Sequence, residues 1–167
     1  MRKSALILFI LLVGISFVTL AIAQKMSVTT ALDFSQVGTG SLLLRDKADR
    51  VYSAVIRSYE GFQEFKKSYP IKFDLSKEDF KDSFYIVGFS NNHWGIAADG
   101  FKRQQQSSFY YLDIADTGLD IDIDAPPVGK KYTAYVIIRI SDAVADRQKI
   151  GHVQLREGVS SGVTKWF

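Results

Sequence analysis

Five aspartates crowd one stretch of this sequence: Asp113, Asp116, Asp120, Asp122 and Asp124. Carboxylates in that number suit a hard cation such as calcium, which takes several oxygen ligands converging on one point. Their spacing speaks against it. A calcium loop of the EF type needs Gly at its sixth position and Glu at its twelfth, and counted from Asp120 those positions hold Ala125 and Lys131. In an extended strand Asp120, Asp122 and Asp124 project to one side about 7 Å apart, with Leu119, Ile121 and Ile123 on the other. That is the pattern of a half-buried strand with a solvated acidic face. Lys130 and Lys131 can relieve its repulsion from across a hairpin.

Other chemistry is equally short of partners. His93 and His152 are the two histidines, and there is no cysteine, so a zinc site would have to be assembled from distant segments. A serine nucleophile would need one of those rings as its base, and no Gly-x-Ser-x-Gly turn is present. Glycine loops that cradle phosphate are absent too. No catalytic, cofactor-binding or metal-binding residue is therefore assigned, and no cofactor is expected. One enzymatic alternative stays open: a small secreted hydrolase or carbohydrate-binding enzyme whose carboxylates, Asp99 and Asp120, meet only in the fold.

Aromatic side chains point to binding instead. The chain has 12 Phe, 8 Tyr and 2 Trp, and most of these must fill a core. Trp94 lies in a turn-rich segment, Trp166 and Phe167 stand at the far end, and Tyr110 and Tyr111 are adjacent, so that in a strand one faces away from the other. Rings at loops and edges are common anchors of protein interfaces. These five are the candidate partner-binding residues.

The first 23 residues have the parts of a signal peptide: Arg2 and Lys3, an apolar run from Ala5 to Ile22, then Ala21 and Ala23 before Gln24. Cleavage after Ala23 is expected; if the segment is kept, it is the chain's one link to a membrane. Removing 23 of 167 residues leaves 144, and takes two of the 21 basic side chains, leaving 19 against 18 acidic. So balanced a domain lacks the basic face that nucleic acid requires. Export without cysteine, and without an Asn-x-Ser/Thr acceptor, points to a bacterial periplasmic or secreted protein held together by packing alone.

The elements that must position these residues follow from period and punctuation. Residues 24–50 form an N-terminal extension with edge strands at Met26–Leu32 and Ser41–Arg45, loosely joined at Gly38-Thr39-Gly40. Residues 51–156 form one strand-rich domain, and 157–167 a C-terminal tail. Val51–Arg57 is a strand, and Ser58 caps a helix whose Tyr59, Phe62, Phe65 and Tyr69 share one face until Pro70 ends it. Ser76 caps a further turn with Asp79 three residues on. Phe84–Phe89 is apolar throughout, as in a strand buried on both faces. Trp94–Ala98, Ser107–Ala115, Leu119–Asp124, Tyr132–Ile140 and Ile150–Arg156 complete the strands, with Asp99-Gly100 as a hairpin turn. Tyr132–Ile140 is the strongest and belongs at the centre of a sheet. The fold class is α+β, a mainly antiparallel sheet with one packed amphipathic helix, following the signal peptide.

This order resembles that of the PrcB-like protease-complex-subunit family over about residues 51–140: a strand ending Val55-Ile56-Arg57, the helix Ser58–Lys67, the segment Phe73-Asp74-Leu75-Ser76-Lys77, the apolar strand Phe84–Phe89 and the late strand Tyr132–Ile140. The chain departs from the family at Asn91-Asn92-His93-Trp94-Gly95, where a Gly-Gly-Tyr turn is usual, and at Asp74-Leu75-Ser76 in place of Asp-Phe-Ser. The resemblance implies an envelope or secreted accessory domain that stabilises or assembles with another protein and has no catalytic residues of its own.

Overall fold

The computed structural model describes residues 29–45, 51–91, 95–105, 107–117, 130–156 and 163–167. The expected signal peptide, His93, Trp94 and the acidic run Asp120, Asp122 and Asp124 lie outside the described residues. In chain order the elements are β1 (Thr29–Ala31), β2 (Ser35–Arg45), β3 (Val51–Ile56), α1 (Tyr59–Ser68), a 3₁₀ turn (Glu78–Phe80), β4 (Ser83–Ser90), β5 (Ile96–Gln104), β6 (Phe109–Asp116), β7 (Lys130–Ser141), β8 (His152–Arg156) and β9 (Val163–Trp166).

The strands form two sheets, β1-β5-β6-β8 and β2-β7-β4-β3-β9. Their pairs are antiparallel, except β3–β9 and β6–β8, which are parallel. The protein is thus α+β, mostly antiparallel sheet with a single described helix. Each β4 residue is buried, because the five-stranded sheet has the other sheet on one face and the helix on the other. Alternation sorts its side chains. Phe84, Ile86, Val136 and Ile138 meet Leu112, Val153 and Leu155 between the sheets, while Tyr85, Val87, Phe89, Tyr135 and Ile137 pack beneath the helix. Gly88 on β4 leaves room for the other sheet, since a β carbon there would stand 2.6 Å from Leu155.

The helix follows its punctuation. Ser58 Oγ accepts from the Gly61 amide at 3.1 Å, Glu60 sits in the first turn, and the chain leaves the helix at Tyr69, just before Pro70. Phe62 and Phe65 are buried against the sheet at 1% and 0% exposure. Ser76 does not cap the 3₁₀ turn, which starts from Lys77 with no side-chain cap; instead its amide and hydroxyl both donate to Asp79 Oδ2, at 2.8 and 2.7 Å.

Three further expectations need correction. Gly38 and Gly40 are not a joint; they lie inside β2, where β carbons would stand 3.3 Å from the Phe73 ring and 2.7 Å from the Tyr135 hydroxyl. Large aromatics, not a bend, require these glycines. Asp99-Gly100 is not a hairpin turn but part of β5, where the register against β6 shifts between Ala98 and Gly100 and a bulge absorbs Asp99. The end of the chain is no free tail either, for β9 pairs with β3 and Phe167 continues the ladder, its amide donating to Val55 O at 2.9 Å. Among the described residues no helix is long and apolar enough to cross a membrane.

Candidate functional site

The two sheets meet along a seam where β9 runs beside the outer edge of β8. An edge strand leaves main-chain groups that need partners, and here side chains supply them. The Val153 amide donates to Thr164 Oγ1 at 3.1 Å, and the Thr164 hydroxyl donates to Val153 O at 2.7 Å. Buried Ser53 donates to the same carbonyl at 2.5 Å. His152 Nδ1 lies 2.9 Å from Thr164 Oγ1. The same hydroxyl thus ties His152, Val153 and β9 into one hydrogen-bonded network.

Large rings flank this network. Phe109, 45% exposed, stands edge-on to His152 with ring centroids 5.2 Å apart. Two residues beyond Thr164 on β9, Trp166 is 39% exposed, and the Arg57 guanidinium lies 4.6 Å from its ring centre. Arg57 Nη2 also donates to Ile150 O at 3.0 Å, just before β8 begins, while its buried Nε has no hydrogen-bond partner among the described residues. The seam thus presents Phe109, His152, Arg57 and Trp166 as a connected strip. Arg147 braces it from behind, donating to Arg57 O at 2.9 Å and Phe80 O at 3.0 Å. Its ion pair with Asp142 raises the guanidinium further above its already high range.

Beside the strip, the outer face of the four-stranded sheet is held by charge. Asp113 takes Arg156 Nε at 2.7 Å and Lys102 Nζ at 2.8 Å, and the Arg156 guanidinium lies 4.3 Å from the centre of the Tyr111 ring. Burial pushes the Asp113 carboxyl up, but the hydrogen bonds from Arg156 and Lys102 outweigh it and hold the group below the usual carboxylate range. That carboxylate is committed to two cations.

Of the aromatics expected to bind a partner, Trp166 stands at the seam and Tyr111 is half-buried under Arg156. Tyr110 is in the core, 2% exposed and stacked on Phe101 at 5.6 Å; its inward phase on β6 removes it from any interface. Phe167 packs edge-on against Phe65 at 5.3 Å, which makes it part of the helix layer. Phe109 and Arg57 were not singled out by sequence reasoning. Phe109 shares the phase of Tyr111 on β6, but the sequence did not decide which member of the Tyr110–Tyr111 pair faces outward, and nothing local marks Arg57.

The carboxylate alternative gains no geometry. Asp99 is exposed on the β5 bulge and Asp120 lies outside the described residues. Among the described residues no three His, Asp or Glu side chains converge as a metal site would need. An open cleft of about 270 Å³ is lined by Asp33, Asp82, Ser83, Arg139 and Ser141 among others, and Arg139 there is tied to Ser83 at 2.9 Å and Asp82 at 3.1 Å. No family model, curated protein or solved structure matches the chain.

Proposed function

We propose that this protein is an exported, non-enzymatic accessory domain that binds another envelope or extracellular protein through the seam between β8 and β9. The observation that carries the reading is that Phe109 and Trp166, two of the three large hydrophobic side chains left exposed among the described residues, flank one hydrogen-bonded network. An exposed Trp stacked with Arg, beside a second ring, is the composition of an interface hot spot. The network beneath holds the strip rigid, so little ordering entropy is lost when a partner docks. The signal-like first 23 residues support export, and the resemblance to the PrcB-like family supports an accessory role, including stabilisation of a protease complex.

The test is affinity capture of the tagged protein from its native envelope and medium, beside a Phe109→Ala/Trp166→Ala double variant. A protein retained by the wild type and lost by the variant, with melting unchanged, supports the reading. Equal retention by both moves the interface elsewhere. Mass spectrometry of the secreted form should find Gln24 as the first residue; an intact Met1 in the membrane fraction would overturn cleavage.

A further inference from the structure

We propose that a second copy of this chain adds antiparallel to the edge of β2 that no described strand covers, joining two five-stranded sheets into one of ten strands. This rests on strand chemistry and not on the seam. β2 ends its sheet, and among the described residues β7 is the one strand paired with it. The pairing with β7 runs without interruption from Gly38 to Arg45, so the backbone of that stretch is regular and its outer groups are arrayed for another strand.

Edges of this length are normally guarded by charges, proline or short length. From Ser35 to Leu44 this edge has neither a charged residue nor a proline. The other three edges differ. β1 is three residues long, β9 is four and contains Lys165, and β8 has the outward groups of Val153 satisfied by Thr164 and Ser53. β2 also holds the third large exposed apolar side chain, Val37, at 37% exposure, at the point where register shifts between Gln36 and Gly38.

The lack of charge favours a second copy as the occupant. A strand paired antiparallel with itself forms a closed two-fold interface in which the same surface serves both sides. Like charges set opposite each other are the chief obstacle to such pairing, and here none meet along Ser35–Leu44. The first charge, Arg45, falls at opposite ends of the two strands.

Sedimentation of the protein expressed from its full sequence should show a dimer that dissociates on dilution. Val37→Lys/Thr39→Lys, which places like charges on both copies at exposed positions, should leave it monomeric with unchanged melting. Because the chain has no cysteine, Thr39→Cys, Ser41→Cys and Leu43→Cys each introduce a sole thiol. Whichever lies nearest the two-fold axis should crosslink on mild oxidation, since a disulfide needs α carbons about 4.4–6.8 Å apart. Lys67→Cys on the helix should not. A monomer at every concentration up to about 1 mM overturns the proposal, even if another protein is found on this edge. So does a dimer that tolerates the lysines or crosslinks only through the helix control.

Discussion

Gly61, in the first turn of the helix, faces the backbone of Phe167 so closely that a β carbon on it would stand 2.5 Å from the Phe167 carbonyl carbon. The contact joins the helix to β9 from the side, in addition to the ladder that β9 forms with β3. A glycine that weakens the helix is thereby explained by what must lie against it.

Gly61→Ala should therefore destabilise the protein. Alanine gains about 1 kcal/mol of helix propensity, but overpacking costs about 1–3 kcal/mol, and the close neighbour is main chain, which cannot swing aside. Thermal melting should show a net loss. In a chain lacking Phe167 the same substitution should become neutral or stabilising, and equal losses in both backgrounds would place the clash elsewhere.

Local signals were legible and long-range ones were not. Ser58, the Phe62 and Phe65 spacing and Pro70 act within one or two turns, so the helix could be read from sequence, and the unbroken apolar run of β4 announced two covered faces. Gly38, Gly40 and Gly100 look like turn chemistry, yet Gly38 and Gly40 lie inside β2 against Phe73 and Tyr135 from other segments, and Gly100 follows the bulge in β5. β9 is only four residues long and pairs with a strand about a hundred residues earlier, and no local pattern encodes that. Trp166 was legible as an exposed ring. Its partner Arg57 was not, because parallel pairing of β9 with β3 alone brings them together.

Phe62→Ala and Phe65→Ala should each cost about 3–5 kcal/mol, as large-to-small changes in a packed core do. Both rings are buried, and Phe65 also contacts Tyr69, Phe89 and Phe167. Glu64→Ala on the exposed face serves as control. Denaturant melts of the three variants decide it. If the Phe variants melt with the control, the helix does not hold the sheet through this face.

Acidification should uncouple Asp113. Its folded pKa is depressed, so the stability it contributes is present above its unfolded value and lost as pH falls through the folded one. The loss should begin near pH 4, the ordinary carboxylate range, at about 3.9 for an unfolded Asp. Asp113→Asn should lower stability at neutral pH by about 1–2 kcal/mol and flatten the acid limb, so that the two proteins converge at low pH. Denaturant titrations across that range measure it, and a constant gap down to about pH 2 would remove the linkage.

The seam yields the last prediction through Thr164. Thr164→Val keeps the shape of the side chain and deletes the oxygen that accepts from the Val153 amide at 3.1 Å and donates to its carbonyl at 2.7 Å. Ser53 still donates to that carbonyl, so the group left without a partner is the amide. Leaving such a donor unsatisfied costs about 1–3 kcal/mol. The loss should be local first, because the hydroxyl also links β9 to β8. Hydrogen exchange at Val153 should accelerate by more than global destabilisation explains, and exchange along β9 should rise with it. Thr164→Ser, which keeps the hydroxyl, should restore protection at Val153. If valine and serine protect Val153 equally, the strand edge is not closed by this side chain, and the rigidity attributed to the Phe109–Trp166 strip has another source.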